Sequence, residues 1–347
     1  MKHFNAIKLK NFVAAVTQKA GLSLQDSTNF AESLIEADMR GIHSHGLTRL
    51  ETYTYRLEHK LVDAKAVPTV AADGGSMLSI DANNGMGVSA ALFAMALCVE
   101  RAQKTGVCFA AVRGSNHFGY AAYFTQYAAR QDMIGVAMAN APAAMAPIGG
   151  KTAVLGTNPL SVAIPASRRP LVLDMATSEV ARGKVTLAKK EGRPIPAGWG
   201  IDAEGHSVTD PAKVVTVLPF GGAKGYAISL IIEILCSCLS GAKNGQTMGS
   251  FYDFSGKHQD AGFFVGAINP GAILPAAQFK TRVDDLMESI KAAPRAQGCD
   301  EIFIPGEIEA RNAAKAALEG IALGPAVVSE LEKLATQYHV PFDCAMA

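Results

Sequence analysis

Charge of neither sign is in excess in this chain. Its 32 lysines and arginines meet 31 aspartates and glutamates, and no basic stretch is dense enough to track phosphates, which argues against nucleic acid as a partner. Long apolar runs are missing as well. The longest, such as Ile228 to Leu239, are broken by Ser229, Glu233 and Ser237, too short and too polar to span a bilayer. The first residues, Met1-Lys2-His3-Phe4-Asn5, hold no apolar run with a cleavage site, so no secretion signal is expected. No C-x-x-C pair occurs among Cys98, Cys108, Cys236, Cys238, Cys299 and Cys344. That scatter predicts reduced, mostly buried thiols in a cytoplasmic protein and no metal site. Two nucleotide signatures are also lacking. Without G-x-x-x-x-G-K-[ST] a P-loop is not supported, and without G-x-G-x-x-G after a strand neither is a Rossmann site.

What is present suits a large mixed α/β protein. With 347 residues, 49% hydrophobic and 18% charged, the chain can bury a core divided over two or three subdomains. Helical spacing of apolar residues predicts helices over about 7 to 20, from Ser23 towards Gly41, and from about 47 to Leu57. Residues 63 to 75 read as a loop. Met77 to Ile80, Val107 to Val112, Met133 to Met138, Val162 to Ile164, Leu171 to Leu173 and Phe263 to Ile268 read as strands. Helices are expected over Gly87 to Thr105, Ala121 to Ala129, after Ser178, from Pro219-Phe220-Gly221-Gly222 to about Leu239, and three times in the tail, with a Gly/Pro-rich loop over 192 to 211.

The chemistry-bearing residues sit at the junctions. Gly41 and Gly46 bracket His43, Ser44 and His45. If a helix restarts at Gly46 or Leu47, Arg49 and Tyr53 lie on one face beside His45. A proton carrier, a cation and a phenol there suit a small carboxylate with a proton to move, although such residues also decorate helix ends without chemistry. Ser115-Asn116-His117 places three polar groups after an apolar strand, with histidine suited to proton exchange near neutrality. Gly221-Gly222-Ala223-Lys224-Gly225 and Pro305-Gly306-Glu307 at helix starts are candidate anion sites. Asp174 reads either as a helix-start residue or as an acceptor for a ribose hydroxyl. These readings amount to an α/β enzyme handling a small anion and a phosphate-bearing cofactor.

Six ordered stretches carry a resemblance: Arg40 to Gly46 with Arg49, Ser115 to Gly119, Gly156 to Pro159, Leu173 to Thr177, Leu218 to Tyr226 and Pro305 to Glu307. Together they resemble the type 2 malate/L-lactate dehydrogenases, the non-Rossmann NAD(P)-dependent 2-hydroxyacid dehydrogenases. The resemblance implies a mixed, largely antiparallel sheet in the cofactor domain. It divides the chain into a mainly helical unit (1–75 plus 280–347), a strand-helix-strand segment at the substrate site (76–120) and an NAD(P)-binding domain (121–279). It also implies a homodimer with the site near the subunit interface.

Roles follow from the same resemblance. His45, assisted by Ser44, and His117 are both candidates for the acid/base, with Ser44 and Arg49 tilting the choice to His45. Arg49 would bind the substrate carboxylate and Tyr53 would line the pocket. Asn140, Thr157, Asp174, Met175, Ala176, Arg182, Lys224, Pro305, Gly306 and Glu307 would hold the dinucleotide. NAD is the expected cofactor. NADP is the alternative if Arg168-Arg169 meets a 2′-phosphate. The substrate would be a small (S)-2-hydroxy acid such as malate or lactate. Ureidoglycolate dehydrogenase and diketogulonate reductase are alternatives on the same scaffold. Members that reduce cyclic imines of the piperideine-2-carboxylate type carry an aspartate where this chain has Lys184, which lowers that reading. A dinucleotide-binding protein without turnover is the alternative from another class.

Overall fold

Asn5 and Ser23 start the first two helices. In the computed structural model, which describes residues 2–346, the Asn5 side chain accepts from the N–H groups of Ile7 and Lys8, and Ser23 from that of Asp26. Both helix starts thereby have amides capped that would otherwise lack partners. A short strand, β1 (Lys2–Phe4), precedes α1 (Ala6–Lys19) and α2 (Leu24–Met39). Phe12, Val13 and Val16 of α1 join Phe30 and Leu34 of α2 in the main core. Two 3-10 turns, His43–His45 and Leu47–Arg49, then lead into α3 (Leu50–Glu58). The expected helix restart is therefore real, but its first turn is wound more tightly than an α-helix.

β2 (Thr69–Asp73) lies where the sequence predicts a loop. All five of its residues are exposed, so no alternation marks it, and it is an edge strand bonded to β3 (Met77–Asp81) alone. α4 (Gly87–Thr105) is the crossover to β4 (Val107–Ser115), which runs parallel to β3. α5 (Ala122–Ala129), β5 (Ile134–Ala139), β6 (Leu160–Ile164) and β7 (Leu171–Met175) follow. Asp174 and Met175 finish β7, and α6 (Arg182–Glu191) begins later than predicted. The delay has a local cause: the Ser178 hydroxyl donates to the carbonyl of Val180, and Ser178 pairs with Pro219 as an isolated bridge. The predicted Gly/Pro-rich loop contains β8 (Gly200–Ile201), paired with β9 (Thr216–Val217). α7 (Ala223–Glu233) runs on as a π turn over Ile234–Cys238. β10 (Ala261–Ile268), α8 (Ala276–Lys291), α9 (Glu307–Glu319), β11 (Ile321–Leu323) and α10 (Pro325–Tyr338) complete the chain. β11 pairs with β1, which ties the two ends together.

The central sheet has seven strands in the order β2-β3-β4-β10-β5-β6-β7, and every pair except β3 with β4 is antiparallel. Its strands come from residues 69 to 268, so it draws on all three parts of the expected division, β2 falling in the mainly helical one. β10 arrives late in the chain yet occupies the middle, and all but its last residue are buried.

The alternating directions gather the motifs. Ser115 at the end of β4 lies opposite Ala261 at the start of β10, and Phe263 lies opposite Ala139 at the end of β5. Met138 faces Leu160 at the start of β6, and Leu160 faces Met175 at the end of β7. His117, Asn140, Thr157, Asp174 to Ala176 and the segment before β10 therefore share one end of the sheet. Among the described residues no helix is long and apolar enough to cross a membrane.

Candidate active site

The histidine motif is shaped by a carboxylate that the sequence did not single out. Asp38, buried in the last turn of α2, accepts from the N–H of Leu47 at 2.7 Å and pairs with His43 Nδ1 at 2.7 Å. Its hydrogen bond raises the His43 pKa, against the opposing effect of partial burial. His43 is thus held by Asp38. The chain crosses so close to this carboxylate that a Cβ on Gly46 would sit 2.2 Å from Asp38 Cγ. Only glycine fits there.

His45 is thereby separated from His43 and turned to the other side. Its Nδ1 lies 2.9 Å from Ser44 Oγ, and its ring stacks on His117 with centroids 5.6 Å apart and planes 15° from parallel. Arg49 Nε donates to the Ser44 carbonyl at 2.6 Å, which fixes the guanidinium beside His45. Loss of hydration, and then the Arg49 charge, lower His45 to about 4. His117 is lowered well below its ordinary value by burial first, then by His45, Arg49 and Arg56. Two neutral imidazoles therefore lie side by side near a cation.

Tyr53, which the resemblance expects to line the pocket, is itself buried. It is 2% exposed, packs edge-on against Phe30, and its hydroxyl lies 2.5 Å from His117 Nδ1. Burial raises its pKa, so the phenol stays protonated. The His117 backbone N–H donates to Gln259 Oε1 at 2.8 Å. The start of α4 lies tight under this peptide: a Cβ on Gly87 would be 2.1 Å from the Asn116 carbonyl oxygen.

A segment absent from the sequence reading closes this centre. Phe251 is buried against the rings of His117, at 4.6 Å, and Tyr53, at 4.9 Å. Tyr252 accepts a hydrogen bond from Arg49 Nη1 and lies under its guanidinium, 5.4 Å from the ring centroid. The available signal was composition: Phe251-Tyr252-Asp253-Phe254 packs three aromatics into four residues of a chain that is 7% aromatic.

The expected cofactor residues divide into open and committed groups. A cleft of about 300 Å³ is lined by Arg40, Tyr120, Asp174, Pro305, Gly306 and Glu309. The Asp174 carboxylate is open to it, and crowding by the surrounding protein raises its pKa, opposed by the hydrogen bond from the Ala122 N–H at 3.1 Å. Thr177, next to Met175 and Ala176, binds the Thr157 carbonyl and accepts from the N–H of Phe220, which links β7, the start of β6 and the approach to α7. Arg182 and Lys224 are exposed and form no ion pair among the described residues.

Two residues differ from the sequence expectation. Asn140 is buried and spent internally: its amide donates to Glu233 and to the Lys243 carbonyl and accepts from the Gly262 N–H. Glu307 is 5% exposed and pairs with Arg169 at 2.8 Å, Lys291 at 2.7 Å and Arg311 at 2.8 Å. Burial pushes its pKa up, but these cations and the Ile304 N–H hold it far below the ordinary range. Both side chains are thus engaged by partners within the protein. Arg168 and Arg169 are likewise paired, with Glu288 and Glu307.

The family model described as malate/L-lactate dehydrogenase matches residues 4–332. The L-sulfolactate dehydrogenase of Methanocaldococcus jannaschii is 37% identical over 308 residues, covering 88% of this chain and 89% of that protein. The solved sulfolactate dehydrogenase structure from that organism superposes with a TM-score of 0.92 over 97% of this chain and 98% of its own, at 34% identity. A malate dehydrogenase structure from Entamoeba histolytica gives 0.94 over 99% of each chain, at 29% identity. An NAD-dependent ureidoglycolate dehydrogenase of Escherichia coli is 33% identical, over 88% of each chain.

Proposed function

This chain belongs to the malate/L-lactate dehydrogenase family, and on that premise we propose that it interconverts a small (S)-2-hydroxy acid of the malate or lactate type and its 2-keto acid with NAD(P). The observation that carries this reading is the stack of His45 on His117 beside the Arg49 guanidinium.

Arg49 has spent Nε on Ser44 and one Nη1 hydrogen on Tyr252, which leaves the other Nη1–H and the two Nη2–H groups to clasp a carboxylate. The Tyr53 hydroxyl has two acceptors in reach, His117 Nδ1 at 2.5 Å and the His117 carbonyl at 3.4 Å. We assign its proton to the nearer one, which leaves Nε2–H of His117 as a donor to the substrate oxygen. His45, neutral, then takes the hydroxyl proton during oxidation and returns it during reduction. A positioned acid/base of this kind is worth about 10²–10⁴-fold in rate. The nicotinamide, when bound, supplies or accepts the hydride.

The residues at the cleft suit that cofactor. Asp174 would accept from ribose hydroxyls, Pro305 and Gly306 belong to the cleft wall packed on the same strand, Thr157, Met175 and Ala176 would add contacts nearby, and the exposed Arg182 and Lys224 would meet the phosphates. Asn140 and Glu307 would act by shaping this wall. Pairing of Arg168 and Arg169 with carboxylates favours NAD over NADP. Lys184, on α6, stands against the cyclic imine reaction. We also propose a cytoplasmic homodimer and the three-part division of the chain. The exposed apolar side chains of α7 and its π turn, Ile231 at 57% and Ile234 at 47%, support the dimer.

The test is absorbance at 340 nm with NADH or NADPH against pyruvate, oxaloacetate and 3-sulfopyruvate. Oxidation with at least one keto acid is expected. Tight NADH binding with no oxidation by any of them would instead favour a binding protein without turnover.

A further inference from the structure

Arg56, one turn after Tyr53, is 0% exposed and, among the described residues, has no carboxylate within ion-pair distance, the charge of Asp253 reaching it only from further off. Its guanidinium is solvated by the protein instead. Nη1 lies 3.5 Å from the Ser250 carbonyl and 3.3 Å from those of Phe251 and Asp253, while Nη2 lies 3.3 Å from Asn116 Oδ1. Nε has no partner among the described residues. Burying a cation in this way is costly, and a methionine would fill the same space. What the guanidinium does is gather three carbonyls of one short segment, those of Ser250, Phe251 and Asp253, and tie them to Asn116, the neighbour of His117. The gathered segment then alternates its side chains. Phe251 turns inward against His117, Tyr252 outward onto Arg49, and Phe254 packs on Tyr55 with centroids 4.5 Å apart.

The Tyr252 hydroxyl accepts from Arg49, so its own proton is left to donate, and no acceptor for it is found among the described residues. The proton is available on the same side as the free edge of Arg49, where an anionic substrate group would sit.

We propose that Ser250 to Asp253 is the specificity segment of the site: Tyr252 donates a second hydrogen bond to the anionic group held by Arg49, and Arg56 is the positioning residue that sets the segment through its backbone. This deepens the reading given above and rests on it. The segment selects for substrates with an anion next to the reacting carbon, and its reach from Arg49 limits what the far end of the substrate can be.

The experiment is steady-state kinetics in the reducing direction with NADH and whichever of pyruvate, oxaloacetate or 3-sulfopyruvate the wild type turns over fastest. Tyr252→Phe is expected to raise the keto acid KM about ten-fold, the size of one hydrogen bond to a charged group. Its kcat should change less than about two-fold and its NADH KM should not move. Arg56→Met is expected to raise the keto acid KM as well, and Arg56→Lys to recover part of the loss. Adding Tyr252→Phe to Arg56→Met should cost little more, because both act through one segment. Thermal melting of each variant separates misfolding from mispositioning, and Arg56→Lys carries the test if Arg56→Met does not fold. An unchanged keto acid KM in Tyr252→Phe, or fully additive effects in the double variant, would overturn the inference while leaving the dehydrogenase reading intact. A wild type that turns over none of the three would overturn both.

Discussion

At His45, the guanidinium proposed to hold the substrate also sets the proton affinity of the base. Arg49 and loss of hydration keep the ring neutral in the free protein, with a pKa of about 4. Removing the cation favours the charged form, so Arg49→Met should move the His45 pKa upward, towards the ordinary 6.5. Titration of its ring Cε1–H by NMR checks the sign. A carboxylate arriving at Arg49 offsets the same charge, so binding of oxalate to the NADH complex should draw in protons, measurable with a pH indicator. Tyr53→Phe removes the hydroxyl from His117 Nδ1 and should lower kcat roughly ten-fold, the scale of one lost positioning hydrogen bond, with NADH affinity unchanged. His45, His117 and Arg49 were legible in the sequence because their types and spacing state their chemistry. Asp38, Arg56 and Tyr252 were not. Arg49 and Tyr252 are 203 residues apart, and an arginine in the last turn of a helix reads as a solvated side chain until the fold buries it.

Along α7 the informative residue is Glu233. Its carboxylate, 6% exposed, accepts from Asn140, Asn158 and the Gly245 N–H. It thus fixes three loops at the end of the sheet where the cofactor residues gather. Glu233→Ala would leave these donors buried without partners and should destabilise the fold by about 2–3 kcal/mol, read as a lower midpoint in urea denaturation. Most elements were legible from apolar periodicity and caps, as at Ser23 and at Gly106, whose φ of 81° ends α4. Periodicity failed where it had nothing to report. β2 is exposed on every residue, and β8 and β9 are two residues long. Asn140 and Glu307 are expected among the cofactor residues only through the family resemblance. Their side chains instead meet partners from distant segments, Glu233 and Lys291 among them, which local sequence does not reveal.

Over the whole molecule, the sheet order explains why motifs far apart in the chain gather at one end of the sheet. Antiparallel neighbours bring strand starts and strand ends to the same edge. Six of the sheet's seven strands are legible in the sequence, β2 being the exception, but not the insertion of β10 between β4 and β5, since pairing across that distance leaves no local trace. The exposed apolar side of α7 belongs to this scale too. Ile231→Asp should convert the proposed dimer to a monomer in light scattering coupled to size exclusion, with no change in secondary structure by circular dichroism. The account's central claim, that the His45–His117–Arg49 centre reduces a 2-keto acid held by its carboxylate, is tested most directly by NADH oxidation in Arg49→Met beside the wild type. The wild type should turn over at least one of pyruvate, oxaloacetate and 3-sulfopyruvate, and the variant should lose kcat/KM on the order of 100-fold with NADH binding intact. A variant that reduces the same keto acid with the wild-type KM would contradict it.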